Sequence, residues 1–275
     1  QKQLNTFHEE VPTHEKRPEK NYLSILNKVD LDTFVKGVKK GKWLSFDLET
    51  TSVEPMLCDI VGLSFSTQAD SGVYIPIQYK EKESSNFGGE DLMAVLEILK
   101  PVFENESIPK TGQNVKFDAL ILKRHGVDVK GIKFDTLLAA HLLKPESRTL
   151  KLDNLSMDHL NYRMIPIEDL IGKGKNQITM AEVELDKITF YAAEDADVTL
   201  QLTHIFEKEL KKEELDRFFN SVEMPLLPVL LAMEFNGTFV NGRMLETMSV
   251  ELGKKIDRLL NDIQMFQMDL SSGKK

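Results

Sequence analysis

The segment Trp43-Leu44-Ser45-Phe46-Asp47-Leu48-Glu49-Thr50-Thr51 constrains this chain more than any other. It opens as an apolar strand and ends on two carboxylates one leucine apart. Side chains alternate across an extended chain, so Asp47 and Glu49 project from one face. Like charges at that spacing repel. A fold that places this strand centrally must therefore supply something that neutralises its end.

The rest of the sequence reads as strands first and helices after. A first strand is expected over 21–29, then a short helix over 30–40 with Asp30 as its N-cap. Strands over 43–48, 60–66 and 72–77 have connections short enough for antiparallel hairpins. A polar, glycine-containing loop at 80–90 precedes an amphipathic helix over 90–103. Then come a short strand at 108–112, a helix over 114–125 closed by Gly126, and a helix over 134–143 capped by Asp135. Helical patterns follow at 152–160 and 188–210, with a loop at 172–177 between them. The expected class is α/β, a mixed sheet flanked by helices.

The pattern changes near residue 216. Helices over 218–234 and 244–264, separated by an Asn236-Gly237 turn, read as the start of a second domain without its partner. Residues 1–20 carry Pro12, Pro18, His8, His14 and many charges, and read as linker. The expected division is linker 1–20, main domain 21–215 and truncated segment 216–275. The first residue is Gln1 and the last are Ser271-Ser272-Gly273-Lys274-Lys275, so a fragment of a longer polypeptide is expected.

Composition narrows the function. With 41% hydrophobic and 29% charged residues, the 275-residue chain is globular rather than disordered. No uninterrupted apolar run approaches the roughly 20 residues of a membrane span, and the N-terminus lacks a secretory apolar region. No membrane partner is expected. The single Cys58 rules out an internal disulfide and fits a reducing, cytoplasmic setting. A net charge of -9 argues against holding nucleic acid by lysine and arginine alone. It leaves open a phosphodiester held through bound cations, which invert the local charge logic.

Two further acidic segments join the first. Asn114-Val115-Lys116-Phe117-Asp118 opens a helix just after a strand, and Tyr191-Ala192-Ala193-Glu194-Asp195 lies within a long helix. Offsets of four place Asn114 with Asp118, and Tyr191 with Asp195, on one helix face. If these acids converge on Asp47 and Glu49, four carboxylates can hold two Mg²⁺ or Mn²⁺ ions roughly 3.5–4 Å apart and clamp a phosphodiester. Spacing alone leaves a plainer alternative: a solvated strand rim, a helix cap with an exposed acid, and a charged helix face at Glu194-Asp195-Ala196-Asp197.

The three segments resemble the three exonuclease motifs of the DEDD superfamily, in the branch with tyrosine in its third motif. FDLETT is similar to the first motif, GQNVKFD to the second and YAAEDADVTLQL to the third. IGKGKNQITM resembles the loop upstream of the third motif in the exonuclease domains of bacterial family A DNA polymerases. VEMPLLPVLLAMEFNGTFVN resembles the opening of their polymerase domain. The resemblance spans residues 22–270, nearly the whole chain.

It implies a ribonuclease H-like fold and hydrolysis of a single-stranded 3′ end of DNA by two divalent cations. The products would be deoxynucleoside 5′-monophosphates, and the biological setting proofreading at the nucleoid. The polymerase and 5′-nuclease domains of the same polypeptide would be its partners. Asp47, Glu49, Asp118 and Asp195 would be the metal acids, with Tyr191 orienting water. Asp47 would bridge both ions, and Asp118 would reach the second through water. All four acids, which some polymerases of the family have lost, are retained.

Weaker expectations extend to substrate contacts. Thr50 would donate to the terminal nucleotide, Val53 pack on it, and Gln113 and Asn114 bond its sugar-phosphate. Ile167 would wedge against bases, and Lys173 and Lys175 would follow a phosphate. The histidine branch of the superfamily is excluded because Phe190 stands where its base would be. His141 and Trp43 read as packing residues, and Met224, Met233, Met244 and Met248 as packing for the polymerase domain. The alternatives are a ribonuclease D-like RNA exonuclease and a catalytically silent spacer of the same fold. Catalysis by a serine or cysteine nucleophile has no motif to support it.

Overall fold

The computed structural model describes residues 20–79, 91–147, 149–174 and 177–271. The linker expected at 1–20, apart from Lys20, the loop expected at 80–90 and Lys175 lie outside the described residues. The chain divides into two compact units, residues 1–235 and 236–275.

The first unit is built on a six-stranded mixed sheet in the order β1-β4-β3-β2-β5-β6. The strands are β1 (Asn21–Ser24), β2 (Leu44–Thr50), β3 (Ile60–Gln68), β4 (Ser71–Pro76), β5 (Lys110–Gly112) and β6 (Ile132–Asp135). β2, β3 and β4 form the expected antiparallel run, while β1 joins β4, and β5 joins β2, in parallel. The helices are α1 (Lys28–Gly37), α2 (Asp91–Phe103), α3 (Val115–Arg124), α4 (Thr136–Leu143), α5 (Leu152–Leu160), α6 (Ile167–Ile171) and α7 (Leu185–Lys212). This is the α/β architecture expected, helices packed on a mixed sheet.

Two expected boundaries are corrected. The strand expected over 21–29 ends at Ser24, because Asn27 caps α1: its side chain accepts the Asp30 N–H at 3.0 Å. Asp30 therefore lies in the first turn and is not the cap. The helix expected over 134–143 begins only at Thr136, and Phe134 belongs to β6. Asp135 is the cap, as expected, accepting from Leu137 and Leu138; a cap has non-helical dihedrals, so the residue before it stays in the strand.

The core is aromatic at its centre. Phe46 on β2 and Phe65 on β3 both pack on Phe103 of α2, at ring separations of 5.3 and 5.7 Å. Trp43 meets Phe134 edge-on at 6.3 Å, in the packing role expected for it. α7 lies against β1 to β5 through Ala192, Ala193 and Ala196, small residues that let backbone approach sheet. Closest of all is Gly72 on β4, where a Cβ would meet the Ala193 carbonyl oxygen at 2.8 Å. Only a residue without a side chain fits there.

The helical stretch Asp216–Asn236 contains a π turn at Phe219–Glu223. It is the one helix among the described residues long and apolar enough to cross a membrane by length and composition. Phe219, Met224 and Leu227 are buried in the main core, with Phe219 4.8 Å from the Phe134 ring. Leu231 packs with Ala119 and Leu120 of α3. Its other apolar side chains, among them Leu226, Val229 and Met233, are exposed.

The second unit is mainly one helix, Gly242–Ser271, with Asn241 accepting from the Met244 N–H at 3.2 Å. Exposed Leu245, Met248, Leu252, Ile256, Leu259 and Ile263 recur along it at helical spacing.

Candidate active site

β2 carries Asp47 and Glu49 to the end of the sheet. In the register with β3, Asp47 faces Ser64 and Glu49 faces Gly62, two rows on one face. The pairing of β2 with β5 covers only Leu44 and Ser45. Beyond it the strands diverge, and α3 starts in that gap with Asp118 in its first turn. α7 crosses the same end of the sheet and supplies Tyr191 and Asp195.

The result is a cluster of acids from separate parts of the chain. Carboxylate oxygens of Asp47, Glu49 and Asp195 lie within 4.8 Å of one another. Asp118 stands beside them, 3% exposed and close enough for the Asp47 and Glu49 charges to act on it. Oε1 of Glu49 is buried with no hydrogen-bond partner. Among the described residues, no lysine, arginine or histidine is paired with any of the four.

The electrostatics follow from that geometry. Burial pushes the Asp47 carboxyl up to about 7. Burial first, and then the Asp47 charge, holds Glu49 well above the usual carboxylate range. Asp118 and Asp195 are raised in the same way, by burial and then by Asp47. The Leu48 N–H, donating to Asp118, opposes part of its rise. The Tyr191 phenol is raised by burial and then by Asp195, so it stays a protonated donor. Charges gathered and dehydrated in this way, with an all-oxygen donor set and an unbonded carboxylate oxygen, suit a hard divalent cation. Mg²⁺ and Mn²⁺ both fit that chemistry.

The other expected contacts are scattered in their environment. Val53, 85% exposed, stands on the loop after β2, and Thr50 donates to the Ser52 carbonyl at 2.9 Å. Gln113 spends its amide within the protein, donating to the Leu150 carbonyl at 2.9 Å and accepting from Thr136. Asn114 has φ 57° and an exposed side chain that makes no capping bond. Ile167 is half exposed and lines a cavity of about 200 Å³ together with Tyr191 and Asp195. Lys173 is paired with Glu168 across its own loop. Lys175 lies outside the described residues.

Three acids near the site do more than the sequence expectations gave them. Asp135 was expected only as a cap of α4; it also accepts from Val115 at 2.8 Å and Asn114 at 3.2 Å, anchoring the start of α3. Glu194 and Asp197, which fit a charged helix face by sequence, are both fully buried. Asp197 accepts from Lys20, Tyr22, Gln201 and the Asp70 N–H. Their neighbours in sequence carry no sign of this, since every partner but Gln201 is remote along the chain.

Comparison with known proteins agrees with the geometry. Residues 22–211 match the family model described as 3′-5′ exonuclease. DNA polymerase I of Pseudomonas aeruginosa is 32% identical over 263 residues, which cover 94% of this chain and 29% of that protein. DNA polymerase I of Borreliella burgdorferi is 36% identical over 245 residues, 88% of this chain and 26% of the relative. The chain thus spans between a quarter and a third of the length of these relatives. Among solved structures, the POL domain of Pol1 from M. smegmatis superposes with a TM-score of 0.67 at 20% identity, covering 86% of this chain and 36% of that one. Brucella melitensis NrnC superposes with a TM-score of 0.60 at 17% identity, covering 79% of this chain and 95% of its own. The chain shares its fold with these two structures, and it belongs to the 3′-5′ exonuclease family.

Proposed function

We propose that this chain is the proofreading part of a DNA polymerase I, trimming single-stranded 3′ ends of DNA to deoxynucleoside 5′-monophosphates. The observation that carries this is the set of three carboxylates, from β2 and α7, whose oxygens lie within 4.8 Å of one another with no cationic side chain paired to them among the described residues. Asp47, Glu49 and Asp195 would hold one divalent cation, and Asp47 with Asp118 the second. Bound there, the pair supplies Lewis-acid activation of water and stabilises the departing 3′ oxygen.

The chain's own residues supply orientation. The Tyr191 hydroxyl, protonated and next to Asp195, aims the attacking water. Ile167 and the wall beside it receive the terminal nucleotide, and Val53 packs on its base or sugar. Thr50 donates to that nucleotide, and the exposed Asn114 amide bonds its sugar-phosphate, as Gln113 would on exchanging its bonds to Leu150 and Thr136. Lys173 and Lys175 would follow a phosphate of the incoming strand, Lys173 by exchanging its pairing with Glu168 for it. The proposed domain limits are 21–215 for the exonuclease and 216–275 for the beginning of the polymerase domain. The exposed apolar faces after residue 216 would be covered by that domain, and a 5′-nuclease domain would belong to the same polypeptide. The setting would be the cytoplasm, at the nucleoid.

The test is a 5′-labelled single-stranded DNA incubated with Mg²⁺ or Mn²⁺, with EDTA, and with the Asp118→Ala variant. The expected result is a ladder shortening from the 3′ end, lost in EDTA and in the variant. A second reading has one observation in its favour: the fold neighbour NrnC is also known bound to pGG. Equal or faster shortening of an RNA of the same sequence would favour that reading over DNA.

A further inference from the structure

The wall of the cavity beside Tyr191 is made by a segment without regular structure. Residues 161–166 connect α5 to α6, and Met164, Ile165 and Pro166 line the cavity with Ile167, Tyr191 and Asp195. Such a segment holds its place only through specific bonds. Two of them end on one side chain. Glu194 accepts the Tyr162 hydroxyl at 2.5 Å with one carboxylate oxygen and the Ile165 N–H at 2.8 Å with the other. The Lys20 ammonium lies 4.7 Å from the Tyr162 ring and steadies it from behind.

We propose that Glu194 is a positioning residue for the terminal nucleotide, setting the distance between the cavity wall and the reacting groups. The inference rests on the proposed function, which places that nucleotide in the cavity. Glu194 is fully buried and directly precedes Asp195, three residues after Tyr191 on the same helix. A single carboxylate therefore ties the wall to the turn that carries the water-orienting phenol and a metal acid. Two donors converge on it, and two acceptor oxygens are needed. A glutamine keeps the shape but turns an NH₂ group toward one of the donors. The two carboxylate oxygens are thus matched to the two donors of the wall.

The test uses the chain as it stands, with oligothymidylate as substrate and thymidine 5′-monophosphate as competing product. Glu194→Gln and Tyr162→Phe should raise both KM and the inhibition constant of the monophosphate, by roughly tenfold for the former. The change in kcat should be smaller than the change in KM, and Mn²⁺ affinity should match wild type. Tyr162 is half-buried and its phenylalanine variant keeps the ring packing, so it carries the test if Glu194→Gln does not fold. Variants that melt normally with wild-type KM and inhibition constant would overturn the assignment. So would a joint fall in kcat, Mn²⁺ affinity and melting temperature, which marks a residue that only holds the fold. Wild-type protein that trims no 3′ end with Mn²⁺ present would instead sink the proposed function, a result read before any variant is made.

Discussion

Asp195 and Asp197 stand two residues apart on α7 and live in opposite surroundings. Asp197 is fully buried and saturated: Lys20 at 2.9 Å, the Tyr22 hydroxyl at 2.6 Å, the Asp70 N–H at 2.9 Å and Gln201 at 2.9 Å. Asp195 faces Asp47 and Glu49, and burial first and then their charge raise its carboxyl well above the usual carboxylate range. One acid is completed by the fold and fastens β1 to the helix. The other is left incomplete and waits for a cation. Buried charge is tolerated in a protein in just these two ways, through internal partners or through an external ligand. Which way was taken separates structural acids from functional ones.

That contrast can be broken at its functional pole first. Asp118→Ala or Asp195→Ala should abolish 3′ trimming in the labelled-DNA assay. Melting of either variant in EDTA should match or exceed wild type, because like-charge repulsion has been relieved. A sharp fall would move the acid into the structural class. At the other pole, Asp197→Ala should cost about 3–5 kcal/mol, since it removes the buried carboxylate shared by the Lys20 ammonium, the Tyr22 hydroxyl and the Asp70 N–H, and leaves Lys20 with Asp70 alone. Urea unfolding measures this directly; a loss below the range would mean that Lys20 escapes to solvent.

Tyr191→Phe tests the donor between the poles. The rate should fall by roughly 10²–10³, the usual effect of removing one oriented donor, with Mn²⁺ affinity unchanged. An unaltered rate would discard its role with water.

Titration sharpens the contrast further. Asp47 is pushed up to about 7, and its three companions are raised in the same direction. The folded chain therefore keeps protons that the unfolded chain has already released. Stability contributed by these groups is present at low pH and lost as pH rises from about 4 toward 7. Melting in EDTA should decline over that window. Mn²⁺ should remove the decline, and Asp47→Asn should shrink it. The smallest effect is expected at Asp70, the exposed member of the Lys20 network, where Asp70→Asn should cost no more than about 1 kcal/mol by unfolding.

The fold and the acid pattern were largely open to inspection of the sequence, and the reasons are local. The alternation in Trp43–Thr51 placed Asp47 and Glu49 on one face, and helical offsets paired Tyr191 with Asp195. The hidden parts all depend on distant chain. Nothing near Asp197 announces Lys20, which approaches from 177 residues away. β6 escaped notice because its four residues run directly into α4, so apolar content signals a helix start rather than a strand end. Gln113 sits in a recognisable motif, yet its amide is committed to Leu150 and Thr136, partners that the motif does not contain.

Gly72 extends this lesson to a position that carries no functional group. α7 is a continuous rod of 28 residues, and it rests on the sheet where that glycine offers no Cβ. A rod cannot yield at one point without tilting elsewhere. A methyl group added under Ala193 would lift the nearby turn, and with it both the phenol and the carboxylate that α7 delivers. The placement of Tyr191 and Asp195 thus depends in part on the floor beneath the helix, on an absence of atoms at one strand residue.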